Sequence, residues 1–293
     1  MKPFLKVFSI FLTLSLLMHP LGNVAKADAV PGDVFVTLGQ DLSESQKNEM
    51  LERMEVDSDV PTLYVTNEEE HKYLGDYISA QTIGSKAFSS SKITLSEPDT
   101  GIHVTSDRIT WVTNEMYANA LITAGIKDAE VYVTAPFNVS GTAALTGLIK
   151  AYESATDQVI PEEQKNVANE EMVRTAELGD AIGEEEAAEL ITLVKEKIAT
   201  TSIESEEEMR TTIIQLAEEI NVTLTDSQVN ELSALFMKMK DLNIDWDTVS
   251  NQLDKVRDNL SGFLESEEAR SFFDRMIEGI KSFFNSIRSF FSS

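Results

Sequence analysis

Near Pro161 the apolar period of the chain changes, and with it the range of folds open to the sequence. From 28 to about 155, strand-like runs alternate with helical ones. "DVFVTL", "PTLYVT", "AFSSSKITL", "GIHVTSDRITWVT" and "AEVYVTAP" read as β, since β-branched and aromatic residues recur in short runs. Between them "SESQKNEMLERM", "NEEEHKYLGDYI", "NEMYANALITAG" and "SGTAALTGLIKAYESA" carry the helical period. After Pro161 every segment reads as helix, over 162–178, 184–199, 205–220, 226–241, 246–264 and 267–291. The expected class is α+β or α/β: a mixed-sheet α/β domain at 28–160, an acidic helical domain at 161–264, and an amphipathic C-terminal helix at 265–293.

Helix ends are written locally. "LSESQKNEM" at 42–50 recurs as "LTDSQVNEL" at 224–232. Ser43 with Gln46, and Thr225 with Gln228, have capping-box spacing, so the repeat reads as a helix-start code and not as a duplicated site. Asn67 with Glu70 three residues on reads as another cap. Gly125 suits the left-handed residue that closes a helix.

The first 27 residues stand apart. Lys2 and Lys6 precede an apolar run from Val7 to Leu17, and Ala25-Lys26-Ala27 fits small-x-small cleavage before Asp28. This pattern predicts a secretory signal peptide. The segment holds three of the 24 basic residues and no acid, leaving 21 basic against 50 acidic, a net of −29. Such a balance excludes nucleic acid as an expected partner, because that affinity rests on Lys and Arg at phosphates. With no cysteine, disulfides, Fe–S clusters and thiol catalysis are excluded. The predicted setting is extracellular, either secreted or on the outer face of the cytoplasmic membrane or cell wall.

No catalytic residue is legible. Beyond His19 in the leader only His71 and His103 remain, in different elements and without metal-ligand spacing. GxSxG, P-loop and GxGxxG patterns are absent. "DLNIDWDTVSNQ" at 241–252 mimics a calcium loop at positions 1, 3, 5 and 7, but has Trp246 where Gly is needed and Gln252 in place of the bidentate Glu. Calcium is therefore not expected, Asp245 reads as a helix cap, and neither metal nor cofactor is expected. Ser140-Gly141-Thr142 closes a strand and opens a helix, which makes it an anion-binding candidate, with Ser140 as a cap in the plainer reading. Glu70, Asp107 and Glu115 lie in the mixed-sheet part, and nothing in the sequence singles one out as an acid or base.

The chain ends in three Phe-Phe pairs. On a helix, Phe272, Phe273, Met276, Ile277, Ile280, Phe283, Phe284, Ile287, Phe290 and Phe291 fall within an arc of about 140°. Arg270, Arg275, Lys281 and Arg288 give the segment a local charge opposite to that of the body. Three covers fit this stripe: the apolar row Trp246, Val249, Leu253, Val256, Leu260 and Phe263, an anionic membrane surface, or an envelope protein.

Taken together, the leader, "VTLGQDLSESQ", "MYANALITAGIKDAEVYVTAPFNVSGTAALTGLIKAYE" and "LNIDWDTVSNQL" resemble the YpuA-like family of exported Gram-positive proteins, a domain of unknown function. The likeness spans about 30–260 and is most specific at 116–152. It implies export and an envelope setting and supplies no catalytic residue. The resulting expectation is a non-enzymatic envelope protein attached through its C-terminal helix. The alternative is an extracellular hydrolase using carboxylates of the α/β part.

Overall fold

The computed structural model describes residues 30–57 and 59–263, with side chains through Val256. The leader at 1–27 and the Phe-rich segment at 265–293 lie outside the described residues. The chain is α+β. Five strands, β1 (Val34–Gly39), β2 (Thr62–Val65), β3 (Ser90–Leu95), β4 (Ile102–Ile109) and β5 (Ala129–Val139), form one sheet in the order β2-β1-β3-β5-β4. The β1/β2 and β4/β5 pairs are parallel, while β3 runs antiparallel to both β1 and β5. Four strands therefore end at the edge where β3 begins.

The helices of the strand-bearing part are α1 (Glu44–Arg53), α2 (Asn67–Leu74), α3 (Ala80–Ile83), α4 (Asn114–Thr123) and α5 (Thr142–Thr156). Those that follow are α6 (Glu162–Ile182), α7 (Glu184–Thr200), α8 (Glu206–Glu219), α9 (Asp226–Asp241) and α10 (Trp246–Phe263).

The alternation of each strand sets the two faces of the sheet. Phe35, Ile93, Val131 and Val104 align in one row across the strands. That row faces α4 and α5 in the main core, around Leu121, Leu145 and Leu148. Val36 and Leu38 point the other way and pack with Met50 of α1 and Met54, which caps its end. A second core, with Leu190, Val194, Met209, Ile213, Leu235 and Phe236, joins α6 to α9. Ile244 and Trp246 touch both cores.

The caps at Ser43 and Thr225 form as the sequence predicts, each with reciprocal bonds to its Gln. Gly125, at φ +84°, closes α4: its N–H donates to Ile122 O, and that of Ile126 to Leu121 O. Two expected caps fall elsewhere. The cap of α2 is Thr66 and its reciprocal partner is Glu69, one residue before Asn67 and Glu70. The threonine hydroxyl and the Glu69 carboxylate each find a backbone N–H at this register. Helix α5 is capped by Gly141 at φ +99°, with no side-chain cap bond. A Cβ at Gly141 would overlap the Tyr117 hydroxyl and a methyl of Ile109, so glycine is required there twice over. Ser140 instead shares a hydrogen bond with the Thr142 hydroxyl at 3.3 Å. Helix α6 also runs past the expected end at 178, to Ile182, and stops at Gly183 with φ +112°.

The apolar row of α10 is partly covered by the body. Val249 and Leu253 are buried in the main core, and Trp246 and Val256 pack against it. Of the three covers open to the Phe-rich segment, the first is therefore already occupied at Val249 and Leu253. The side chains of Leu260 and Phe263 lie outside the described ones.

Candidate functional site

The one-residue shift of the α2 cap has a structural result. Glu69 binds the cap, and Glu70, on the next helical position, turns inward and is only 2% exposed. It stands beyond the carboxyl ends of the strands, where open α/β sheets place their ligand sites. Three segments meet there. They are α2 with Glu70, the stretch Ile83–Ser89 leading into β3, and Val139–Thr142 leading from β5 into α5. Together they line a cleft of about 260 Å³, small beside the usual pocket for a drug-sized ligand.

Thr142, the first residue of α5, donates its hydroxyl to Glu70 Oε1 at 3.0 Å. Asn67 donates to Glu70 Oε2 at 3.2 Å and to Gly84 O at 3.4 Å. His71 Nε2 lies 3.0 Å from the same Gly84 carbonyl. The Tyr117 hydroxyl donates to Gly141 O at 2.6 Å and holds the loop from behind. Asp41, from the loop after β1, accepts from Ala87 N–H at 2.8 Å. At the mouth Ser85 and Lys86 are exposed, while Ser89 is buried. Phe88 stacks edge to face with exposed Phe137, ring centroids 5.0 Å apart.

Burial pushes the Glu70 carboxyl up to about 7. The Asn67 and Thr142 bonds and the nearness of His71 oppose that rise, and the charge of Asp41 adds to it. Burial likewise raises the Tyr117 phenol, and the Glu70 charge adds to the effect.

Glu70 differs from the other buried carboxylates among the described residues, Glu170 and Glu171. Glu171 of α6 meets Lys195 of α7 at 3.0 Å. It also accepts from the Thr123 hydroxyl of α4. Lys195 donates in addition to Asn119 O at 2.8 Å, which completes a buried knot of three helices. Burial lowers the Lys195 ammonium, and the Glu171 charge opposes the change. Glu170 accepts from Lys238 of α9 through both oxygens, at 3.0 and 2.9 Å. Each of these acids has an ammonium partner, buried at Lys195 and exposed at Lys238. Glu70 is held by two neutral donors only.

The sequence-predicted Ser140-Gly141-Thr142 thus lines a cleft, and the structure brings it to Glu70. An external anion at this helix start would meet the chain's own carboxyl. Asp107 lies elsewhere, paired with Arg53 at 2.6 Å, and Glu115 sits in the first turn of α4. His71 and His103 stand on α2 and β4. In the calcium-like stretch, Asp245 receives Thr248 N–H at 3.2 Å and the Thr248 hydroxyl at 2.7 Å, as a helix cap does. Gln252 turns inward to Asp128, donating at 3.0 Å. Among the described residues no group of three or more His, Asp or Glu could hold a metal ion, and no helix is long and apolar enough to cross a membrane. The predicted stripe Phe272, Phe273, Met276, Ile277, Ile280, Phe283, Phe284, Ile287, Phe290 and Phe291 lies outside the described residues.

Sequence reasoning named Glu70 with Asp107 and Glu115 but did not single it out, because it assigned that side chain to a cap. The signal was the neighbouring Thr66, three residues before Glu69, an equally good capping-box spacing one step earlier.

The chain matches the family model described as protein of unknown function (DUF1002) over residues 38–256. It is 50% identical to "Uncharacterized protein YpuA" of Bacillus subtilis (strain 168) over 287 residues, 98% of this chain and 99% of that protein. No solved structure matches. The chain belongs to the DUF1002, YpuA-like family.

Proposed function

We propose that this chain is an exported protein of the cell envelope that holds a small polar ligand in the Glu70 cleft. The observation that carries the binding reading is the meeting of three segments around a buried carboxyl that has no cation of its own. A protein that buries charge without a partner gives up stability, and such local inconsistency is characteristic of functional positions. Among the residues lining the cleft, Glu70 is the one carboxyl, so the arrangement favours binding over paired-carboxylate hydrolysis.

Export rests on the leader and its cleavage pattern before Asp28. The Phe-rich segment, with its basic edge, suits attachment to an anionic membrane surface or to an envelope protein, holding an acidic body close to the cell.

The test is an amide NMR titration of the chain from Asp28 with fractionated small molecules from the producing cells. The expected result is a saturable perturbation confined to residues 67–71, 83–89 and 139–142. Perturbation confined to other surfaces, or none with any fraction, would refute the binding reading.

A further inference from the structure

The chemistry of the cleft narrows the ligand, given that the cleft is a ligand site. A carboxylate offers about four lone-pair positions, and Glu70 uses two of them, on Thr142 and Asn67. In the two other buried carboxylates of the described residues, the open positions are met by Lys195 or Lys238. At Glu70, which lines the cleft, no ammonium of the chain takes that place. The uncharged polar lining of the cleft is four hydroxyl residues, Ser85, Ser89, Ser140 and Thr142, set beside the apolar Ile83, Phe88 and Val139. The hydroxyls give and accept hydrogen bonds and carry no charge. Lys86 also lines the cleft but is exposed, its Nζ 5.8 Å from the Phe88 ring centroid.

We infer that the cleft takes a small hydroxylated primary amine, its ammonium seated on the Glu70 carboxylate and its hydroxyls on Ser85, Ser89, Ser140 and Thr142. The ligand supplies the cation that Lys195 supplies to Glu171. An ammonium in that place would satisfy the buried charge and hold the carboxyl ionised. The remaining titratable neighbours are Asp41, His71 and Tyr117. Asp41 is already committed to Ala87 N–H, His71 to Gly84 O, and Tyr117 to Gly141 O. Glu70 is therefore the group on which binding depends. The size of the cleft, about 260 Å³, restricts the ligand to one small unit or to the end of a longer molecule.

The test is calorimetric titration of the chain from Asp28 with glucamine (1-amino-1-deoxysorbitol) and with sorbitol, its hydroxyl counterpart. Glucamine stays protonated at the pH values used. We expect saturable glucamine binding at pH 8, with sorbitol at least tenfold weaker. Affinity should fall on the order of tenfold or more at pH 5.5, where Glu70 holds its proton. Glu70→Gln should weaken glucamine at least tenfold while keeping the melting temperature of the parent or exceeding it. Lys86→Ala should leave glucamine binding unchanged or tighter. Equal binding of the two probes, insensitive to Glu70→Gln, would overturn the amine assignment and leave the cleft standing as a site. Binding lost in Lys86→Ala and kept in Glu70→Gln would overturn it in favour of an anion. No binding of either probe would also overturn it, and the metabolite titration would then decide on the cleft itself.

Discussion

Replacing Glu70 by glutamine should make the ligand-free chain more stable at neutral pH, and the gain should vanish in acid. The carboxyl titrates near 7 in the folded chain, against 4.5 for the free side chain. At about 1.36 kcal/mol per pH unit, that difference makes the ionised form about 3 kcal/mol less stable in the fold than in the unfolded chain. The sign follows from proton binding. Below 4.5 both states hold the proton and Glu70 contributes no penalty. As the pH rises from 4.5 to 7 the unfolded chain releases its proton first, and stability is lost until the folded carboxyl also ionises. Glutamine does not titrate, but it offers one acceptor oxygen where the carboxylate offers two. Either Thr142 or Asn67 then loses a partner, at about 1 kcal/mol. The net gain at pH 8.5 is about 2 kcal/mol, against a loss of about 1 kcal/mol at pH 4. Urea unfolding of both chains from pH 4 to 8.5, at unchanged m-value, reads the difference from the midpoints. A variant less stable than the parent at pH 8.5, or a gap independent of pH, would refute the reasoning.

Other positions test the surrounding account. Lys195→Met leaves Glu171 buried without its cation and should cost about 3–5 kcal/mol, read by urea unfolding; adding Glu171→Gln should recover most of that loss. Gly141→Ala places a Cβ against the Tyr117 hydroxyl and Ile109 at φ +99°, so thermal unfolding should show a loss of about 1–3 kcal/mol. Thr66→Ala should lower stability by about 1 kcal/mol, whereas Asn67→Ala should act mainly through Glu70, raising its midpoint in a carboxyl titration. Deleting 270–293 from the chain that begins at Asp28 should abolish its sedimentation with anionic vesicles; equal, negligible pelleting of both forms would remove the membrane mode of attachment.

The elements were legible from period and punctuation, and the site was not. "DVFVTL" became β1 because Val36 and Leu38 face α1 while Phe35 faces the main core. The capping boxes at Ser43 and Thr225 formed because each is closed by residues three apart, with no help from the rest of the fold. At α2 two such codes overlap, Thr66 with Glu69 and Asn67 with Glu70, and local rules do not choose between them. Tertiary structure does: Lys150 of α5 binds Glu69 at 2.7 Å, and Thr142 binds Glu70 at 3.0 Å, so only the earlier register places both carboxyls. Ser140-Gly141-Thr142 was visible as a strand-to-helix junction, but its carboxyl partner is 72 positions away from Thr142. The pairing of Lys195 with Glu171 was hidden for the same reason, since an acidic helical stretch reads as solvated until packing turns one face inward.

The most direct measurement is the carbon-13 titration of the Glu70 side-chain carboxyl in the chain from Asp28, with and without glucamine. The account predicts a midpoint near 7 in the free chain, and a lower midpoint when the ligand's ammonium is bound. A midpoint in the ordinary carboxylate range, unmoved by glucamine, would contradict it.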